Sequence, residues 1–106
     1  MADASLVLAD AMAALAGTTD GVFARLLERN DFDVSLYKPG GVDTQTPHLR
    51  DELYVVARGT GVFVLEAARQ PFEPGDAFFV AAGKAHRFED FTPDFATWVI
   101  FFGTRP

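Results

Sequence analysis

Two short polar stretches interrupt an otherwise apolar, β-prone chain: Thr46-Pro47-His48-Leu49-Arg50-Asp51-Glu52 and Gly83-Lys84-Ala85-His86. Between them they hold both histidines of the sequence. Imidazole and carboxylate together form a ligand set suited to iron, manganese, nickel or zinc, and three protein ligands leave coordination positions open for water or substrate. His48, Glu52 and His86 are therefore the candidate metal ligands. The competing reading is that the same three side chains line a pocket, hydrogen-bonded to one another and free of metal.

The spacing of these residues constrains the backbone that must carry them. On one straight strand, His48 and Glu52 would face the same way but lie about 13 Å apart at ~3.3 Å per residue, too far to share an ion. A helix would bring i and i+4 together, but Leu53-Tyr54-Val55-Val56 follows at once and is β-prone. The chain must therefore turn between His48 and Glu52, and Pro47 with Leu49-Arg50-Asp51 supplies loop chemistry for that turn. His86 follows the turn-like Ala81-Ala82-Gly83-Lys84-Ala85, so its return strand can aim the imidazole inward. By parity Tyr54 faces the interior with Glu52 as a core aromatic, and Arg87 points outward. Arg50 and Asp51 read as solvated loop residues.

The remaining elements follow from periodicity. Leu8, Met12 and Leu15 recur at helical spacing within Ser5 to Leu15, with Gly17 as a stop, which predicts one short amphipathic helix. From there the period falls to two. Strands are predicted around Val22 to Arg29 and Phe32 to Tyr37, then at Glu52 to Ala57, Gly61 to Glu66, Ala77 to Val80, His86 to Glu89 and Ala96 to Phe102. Arg58-Gly59-Thr60-Gly61 is short enough for a hairpin, and Phe72-Glu73-Pro74-Gly75-Asp76 has the chemistry of a tight turn. Trp98 to Phe102 is apolar on both faces, as for a strand covered on both sides. Phe91 and Phe95 read as loop anchors.

These residues resemble the two signature motifs of the cupin superfamily. Gly40 is followed by five residues, then Thr46, His48, Glu52 and Gly59 at the spacing of the first motif; Gly75, Ala81, Gly83, His86 and Asp90 keep the spacing of the second. The resemblance implies an all-β antiparallel double-stranded β-helix, the jelly-roll barrel, with a short N-terminal helix. Residues 1–106 would form a single domain, with a helical segment over 1–18 and the barrel over 21–103. It also implies a homodimer and a divalent metal held by histidines and a glutamate. Thr46 stands where the family's first histidine usually sits, leaving His48, Glu52 and His86 as the ligand set. Family members include oxygenases, isomerases, decarboxylases and non-catalytic binding proteins, and the fold does not choose among them.

Composition narrows the partners. The 106 residues suit one domain, and an apolar fraction of 49% with eleven phenylalanines suits a filled core. A formal charge of −6 with no Lys/Arg cluster disfavours nucleic acid and anionic membranes. There is no cysteine, hence neither a disulfide nor a thiolate zinc site. With no basic start to the alanine-rich N-terminal run and no long apolar stretch, the expectation is a cytoplasmic protein that takes a small-molecule ligand or substrate. The leading reading is a metalloenzyme acting on a small organic molecule. The alternatives are a binding module without turnover and a degenerate barrel serving as an oligomerisation unit.

Overall fold

The structure is a computed structural model and describes residues 3–103. One helix, α1 (Leu8–Ala16), precedes eight strands: β1 (Phe23–Glu28), β2 (Phe32–Tyr37), β3 (Glu52–Arg58), β4 (Gly61–Leu65), β5 (Ala68–Phe72), β6 (Ala77–Val80), β7 (His86–Glu89) and β8 (Ala96–Phe102). They form a five-stranded sheet, β1-β2-β8-β3-β6, and a three-stranded sheet, β5-β4-β7. Every pairing is antiparallel. No helix among the described residues is long and apolar enough to cross a membrane.

The alternation read from the sequence becomes two faces of the larger sheet. Register pairs Glu52, Tyr54 and Val56 of β3 with Phe101, Val99 and Thr97 of β8, and these in turn with Asp33, Ser35 and Tyr37 of β2. That set faces the smaller sheet. Tyr54, Val56, Val80 and Val99 meet Phe63 of β4, Phe72 of β5 and Phe88 of β7, with Phe95 closing one end. Aromatic rings dominate the contact: Phe88 packs edge-on to Tyr54 at 4.9 Å, and Phe63 stacks on Phe78 at 4.5 Å. The opposite face carries Ala24, Leu36, Ala96 and Trp98, on which α1 lays Ala11 and Leu15. Fully burying a leucine such as Leu15 or Leu36 stabilises by about 1.5–3 kcal/mol. β8 lies mid-sheet between β2 and β3, with the core on the Val99 face and the helix against Ala96 and Trp98 on the other. The cover thins toward its end: Trp98, Ile100 and Phe101 are half-buried and Phe102 is exposed, so Trp98 to Phe102 is covered on both sides only in part.

Three expectations need correction. The helix starts at Leu8 rather than Ser5, and Gly17 ends it with an ordinary right-handed φ of −82°. Thr18 completes the stop, its hydroxyl donating to the Leu15 carbonyl at 2.7 Å. The Arg58–Gly61 junction is not a hairpin, because β3 and β4 belong to different sheets. Gly59 turns the chain from one sheet to the other with φ +88°, passing so close to Phe95 that a Cβ would lie 2.5 Å from the Phe95 Cα. Finally, β5 is a strand that no sequence pattern announces. Its Ala68–Pro71 portion is exposed and only Phe72 is buried, so it carries no alternation. Pro71 is tolerated because β5 is an edge strand.

Candidate metal centre

Glu52 opens β3 and His86 opens β7, so the site joins the two sheets at one end of the core. His48 comes from the preceding loop. The turn predicted between His48 and Glu52 is present, and it folds the His48 ring back over the first residue of the strand. His48 Nδ1 donates to Glu52 Oε2 at 3.0 Å. The other oxygen, Glu52 Oε1, lies 3.0 Å from His48 Nδ1 and 2.8 Å from His86 Nε2. The two imidazoles meet edge to face, 5.2 Å between centroids. Glu52 and His86 are buried and His48 is partly exposed, so the cluster opens to the outside on the His48 side.

Hydrogen bonding sets which nitrogen of His86 is available. A carbonyl only accepts, so Nδ1–H of His86 donates to the Lys84 oxygen at 2.9 Å. Nε2 therefore points at Glu52 and Tyr54, and in the neutral ring it carries the lone pair. The Tyr54 hydroxyl has two acceptors in reach, Gln45 Oε1 at 2.9 Å and His86 Nε2 at 3.0 Å, and one proton to give. When it donates to Gln45, Nε2 is free to bind a cation.

The charges are strongly coupled. Burial acts to raise the pKa of Glu52, but hydrogen bonds and charge from His48 and His86 outweigh it and hold the carboxyl below its ordinary value. For His86 burial acts to lower the pKa; the Glu52 carboxylate and the Lys84 carbonyl overcome it and raise it. Burial first, and then the Glu52 charge, push the Tyr54 phenol well above its usual range, so it remains a neutral O–H.

These residues fit a divalent ion. The ligand atoms of His48, Glu52 and His86 all lie within 4.8 Å of one another. Glu52 Oε1 is buried without an aligned hydrogen bond, although two ring nitrogens lie close to it. With His86 protonated that oxygen has an ion-pair partner at 2.8 Å; with neutral rings it is a buried carboxylate oxygen without a donor, a cost of about 1–3 kcal/mol that a cation between it and the imidazoles removes.

A network missed in the sequence supports the site. Asp43, buried in the loop before His48, accepts from the Tyr37 hydroxyl at 2.6 Å, the Gln45 amide at 2.7 Å and the Phe88 backbone N–H at 2.8 Å. It fixes Gln45, which holds Tyr54. Thr46, at the position of the family's first histidine, is exposed, and Gln45 beside it is the residue that meets Tyr54. No periodic signal marks Asp43 or Gln45, because both lie in irregular loop.

Arg50 also departs from expectation. Rather than being solvated, it aims Nη1 and Nη2 at Asp33 Oδ2, 2.9 and 3.0 Å away, and lies over the Phe101 ring at 5.3 Å. Phe101 in turn packs against His48 at 5.2 Å. Asp51 is exposed, yet it accepts from the Ala82 N–H at 2.8 Å, and Gly83 donates to the His48 carbonyl at 2.8 Å. The loop bearing His48 is thus pinned to β2 and to the turn before β7. Arg87 points outward as expected.

The cupin domain pattern matches residues 34–101, a span that holds all three candidate ligands. The chain belongs to the cupin family. This cupin is 30% identical over 94 residues to an uncharacterized protein of Streptomyces coelicolor, covering 87% of this chain and 90% of that protein. Among solved structures it is similar to KdgF from Halomonas sp., with a TM-score of 0.68, 24% identity and 78% of each chain covered. A cupin 2 conserved barrel domain protein from Salinispora arenicola superposes with a TM-score of 0.64 at 24% identity, covering 76% of this chain and 73% of that one. The DMSP lyase DddQ from Ruegeria pomeroyi has a TM-score of 0.63 at 22% identity, over 80% of this chain and 49% of the lyase. These likenesses establish the jelly-roll fold of this cupin.

Proposed function

We propose that this protein is a divalent-metal cupin that acts on a small oxygenated molecule, with His48, Glu52 and His86 as the metal ligands. The observation that carries the reading is the buried Glu52 Oε1, set between two imidazoles and without an aligned hydrogen bond. An ion held there would act as a Lewis acid toward a substrate oxygen or lower the pKa of a bound water. The protein's own groups do the rest. Lys84 fixes the His86 tautomer, Asp43 and Gln45 hold the Tyr54 hydroxyl at the edge of the site, and Phe101 with Val99 gives the adjoining pocket an apolar wall. The lyase among the structural neighbours is consistent with an enzyme, but at its level of identity it carries only the fold.

A binding module without turnover is the second reading. It is favoured by the fact that His48 already donates to Glu52 and His86 Nε2 already has Tyr54 beside it, so the site has partners without an ion.

Elemental analysis of untagged protein, followed by melting with iron(II), manganese, nickel or zinc after chelation, tests the proposal. We expect near-stoichiometric metal and a rise in melting temperature that His86→Ala abolishes. Absence of metal with no stabilisation by any of the four ions would refute the metal site. Saturable ligand binding to the loaded protein without product would favour the second reading.

A further inference from the structure

A pocket of about 300 Å³ adjoins the metal cluster, lined by His48, Tyr54 and Gln45 at one end and by Arg25 at the other, with Phe23 and Phe101 among its walls. Register places Arg25 of β1 beside Ser35 of β2, Ser35 beside Val99 of β8, and Val99 beside Tyr54 of β3. These residues form one row across the concave face, and three inter-strand steps separate Arg25 from Tyr54 by roughly 14 Å of backbone. Arg25 also lines the adjoining groove that runs past His48 and Phe101.

From this placement we infer that the pocket takes a small organic acid with an apolar middle, its carboxylate held by Arg25 and its far end directed at His48, Glu52 and His86. The inference rests on the proposed function for that far end and stands apart from it at the Arg25 end. A planar guanidinium can hold a carboxylate through two parallel N–H donors, a match that a neutral amide does not offer. Two acids share a groove or a pair with Arg25. Asp33 is taken up by Arg50 at 2.9 Å, and Glu28 reaches Arg25 in a solvent-exposed i,i+3 pair at 2.9 Å, a weak contact that a ligand carboxylate can displace. On a chain of formal charge −6, a cation at one end of an aromatic-walled pocket selects for an anionic ligand with an apolar body. The volume corresponds to about ten waters at ~30 Å³ each, which bounds the ligand at about ten non-hydrogen atoms. Ser35, buried between Arg25 and Val99 in the register, has a hydroxyl without a hydrogen-bond partner, so the row carries a further polar group beneath its apolar surface.

The test is a chemical-shift titration of metal-free and nickel-loaded protein with hexanoate and with its uncharged counterpart hexanamide. Hexanoate is expected to shift resonances of Arg25, Phe23 and Phe101, with hexanamide at least fivefold weaker. Arg25→Gln should weaken hexanoate at least fivefold without changing nickel content, Arg25→Lys should restore part of the loss, and Glu28→Gln should tighten binding. Equal binding of acid and amide, or hexanoate affinity unaltered in Arg25→Gln, would overturn the inference while leaving the metal site intact. A protein that fails to retain nickel but keeps Arg25-dependent hexanoate binding would support the carboxylate end and refute the metal reading instead.

Discussion

Replacing Arg50 by Gln should cost far more than a loop substitution normally does. The change removes the cation from Asp33, which is 1% exposed and pairs through Oδ2 with both terminal nitrogens of Arg50. Breaking a buried pair from one side typically costs about 3–5 kcal/mol when the surviving charge is stranded, and Asp33 keeps a further contact of its own, which lessens the loss. The Arg50 side chain retains 11% exposure, so solvent reaches that end of the pair and the lower part of the range applies, about 3 kcal/mol. For a chain of this length each kcal/mol moves the melting temperature by about 4 °C, giving a fall of about 12 °C. Urea unfolding of Arg50→Gln, Asp33→Asn and the double variant supplies the assay. Once the carboxylate is gone, the second substitution should add little, leaving a coupling of about 2 kcal/mol. Nickel affinity should fall as well, since Phe101 and the Arg50 loop set the position of His48. A loss below about 1 kcal/mol with no coupling, the behaviour of an exposed pair, would refute the clamp.

Gly59→Ala should destabilise by about 3 kcal/mol, combining a left-handed φ with a Cβ forced against the Phe95 backbone, whereas Gly21→Ala, with φ +69° and open space around it, should cost about 1 kcal/mol. Similar losses in urea melts of the two variants would contradict the close approach at Gly59. The metal-free protein should be most stable between pH 4.5 and 6.5. Glu52, with its pKa lowered in the fold, contributes fully above 4.5 and loses that contribution as pH falls through its folded value. His86, with its pKa raised, contributes fully below 6.5 and loses it as pH rises through its folded value. Unfolding free energy should therefore decline between about pH 6.5 and 9, below the range where the buried tyrosines contribute, in the wild type and stay flat there in His86→Ala; parallel curves would sink the assignment.

The sequence made the helix, seven of the eight strands and the turn between His48 and Glu52 legible, because each is written in short-range pattern: helical spacing in Leu8, Met12 and Leu15, alternation in Phe32 to Tyr37, and a proline before His48. What it left unread depends on partners distant along the chain. Arg50 looks like any loop cation until Asp33, 17 residues away, closes on it. Asp43 becomes a hub only when the Phe88 amide arrives from 45 residues on. The path from β3 to β4 looked short enough for a hairpin because nothing local says that the chain changes sheets at Gly59. β5 was missed because its edge position removes the alternation that reveals a strand.

The group that orients His86 is the backbone oxygen of Lys84, and the N–H that steadies the His48 loop is the backbone of Gly83. Neither contact asks anything of the side chain at position 84, so that position is free to drift through substitution while the imidazole stays aimed. In a lineage of such barrels, the layer that aims the imidazole would be inherited as backbone shape, and a comparison of letters alone would undercount how much of the candidate site is specified. For redesign the same fact is an opening: the Lys84 side chain can be exchanged without touching the tautomer that its backbone oxygen sets.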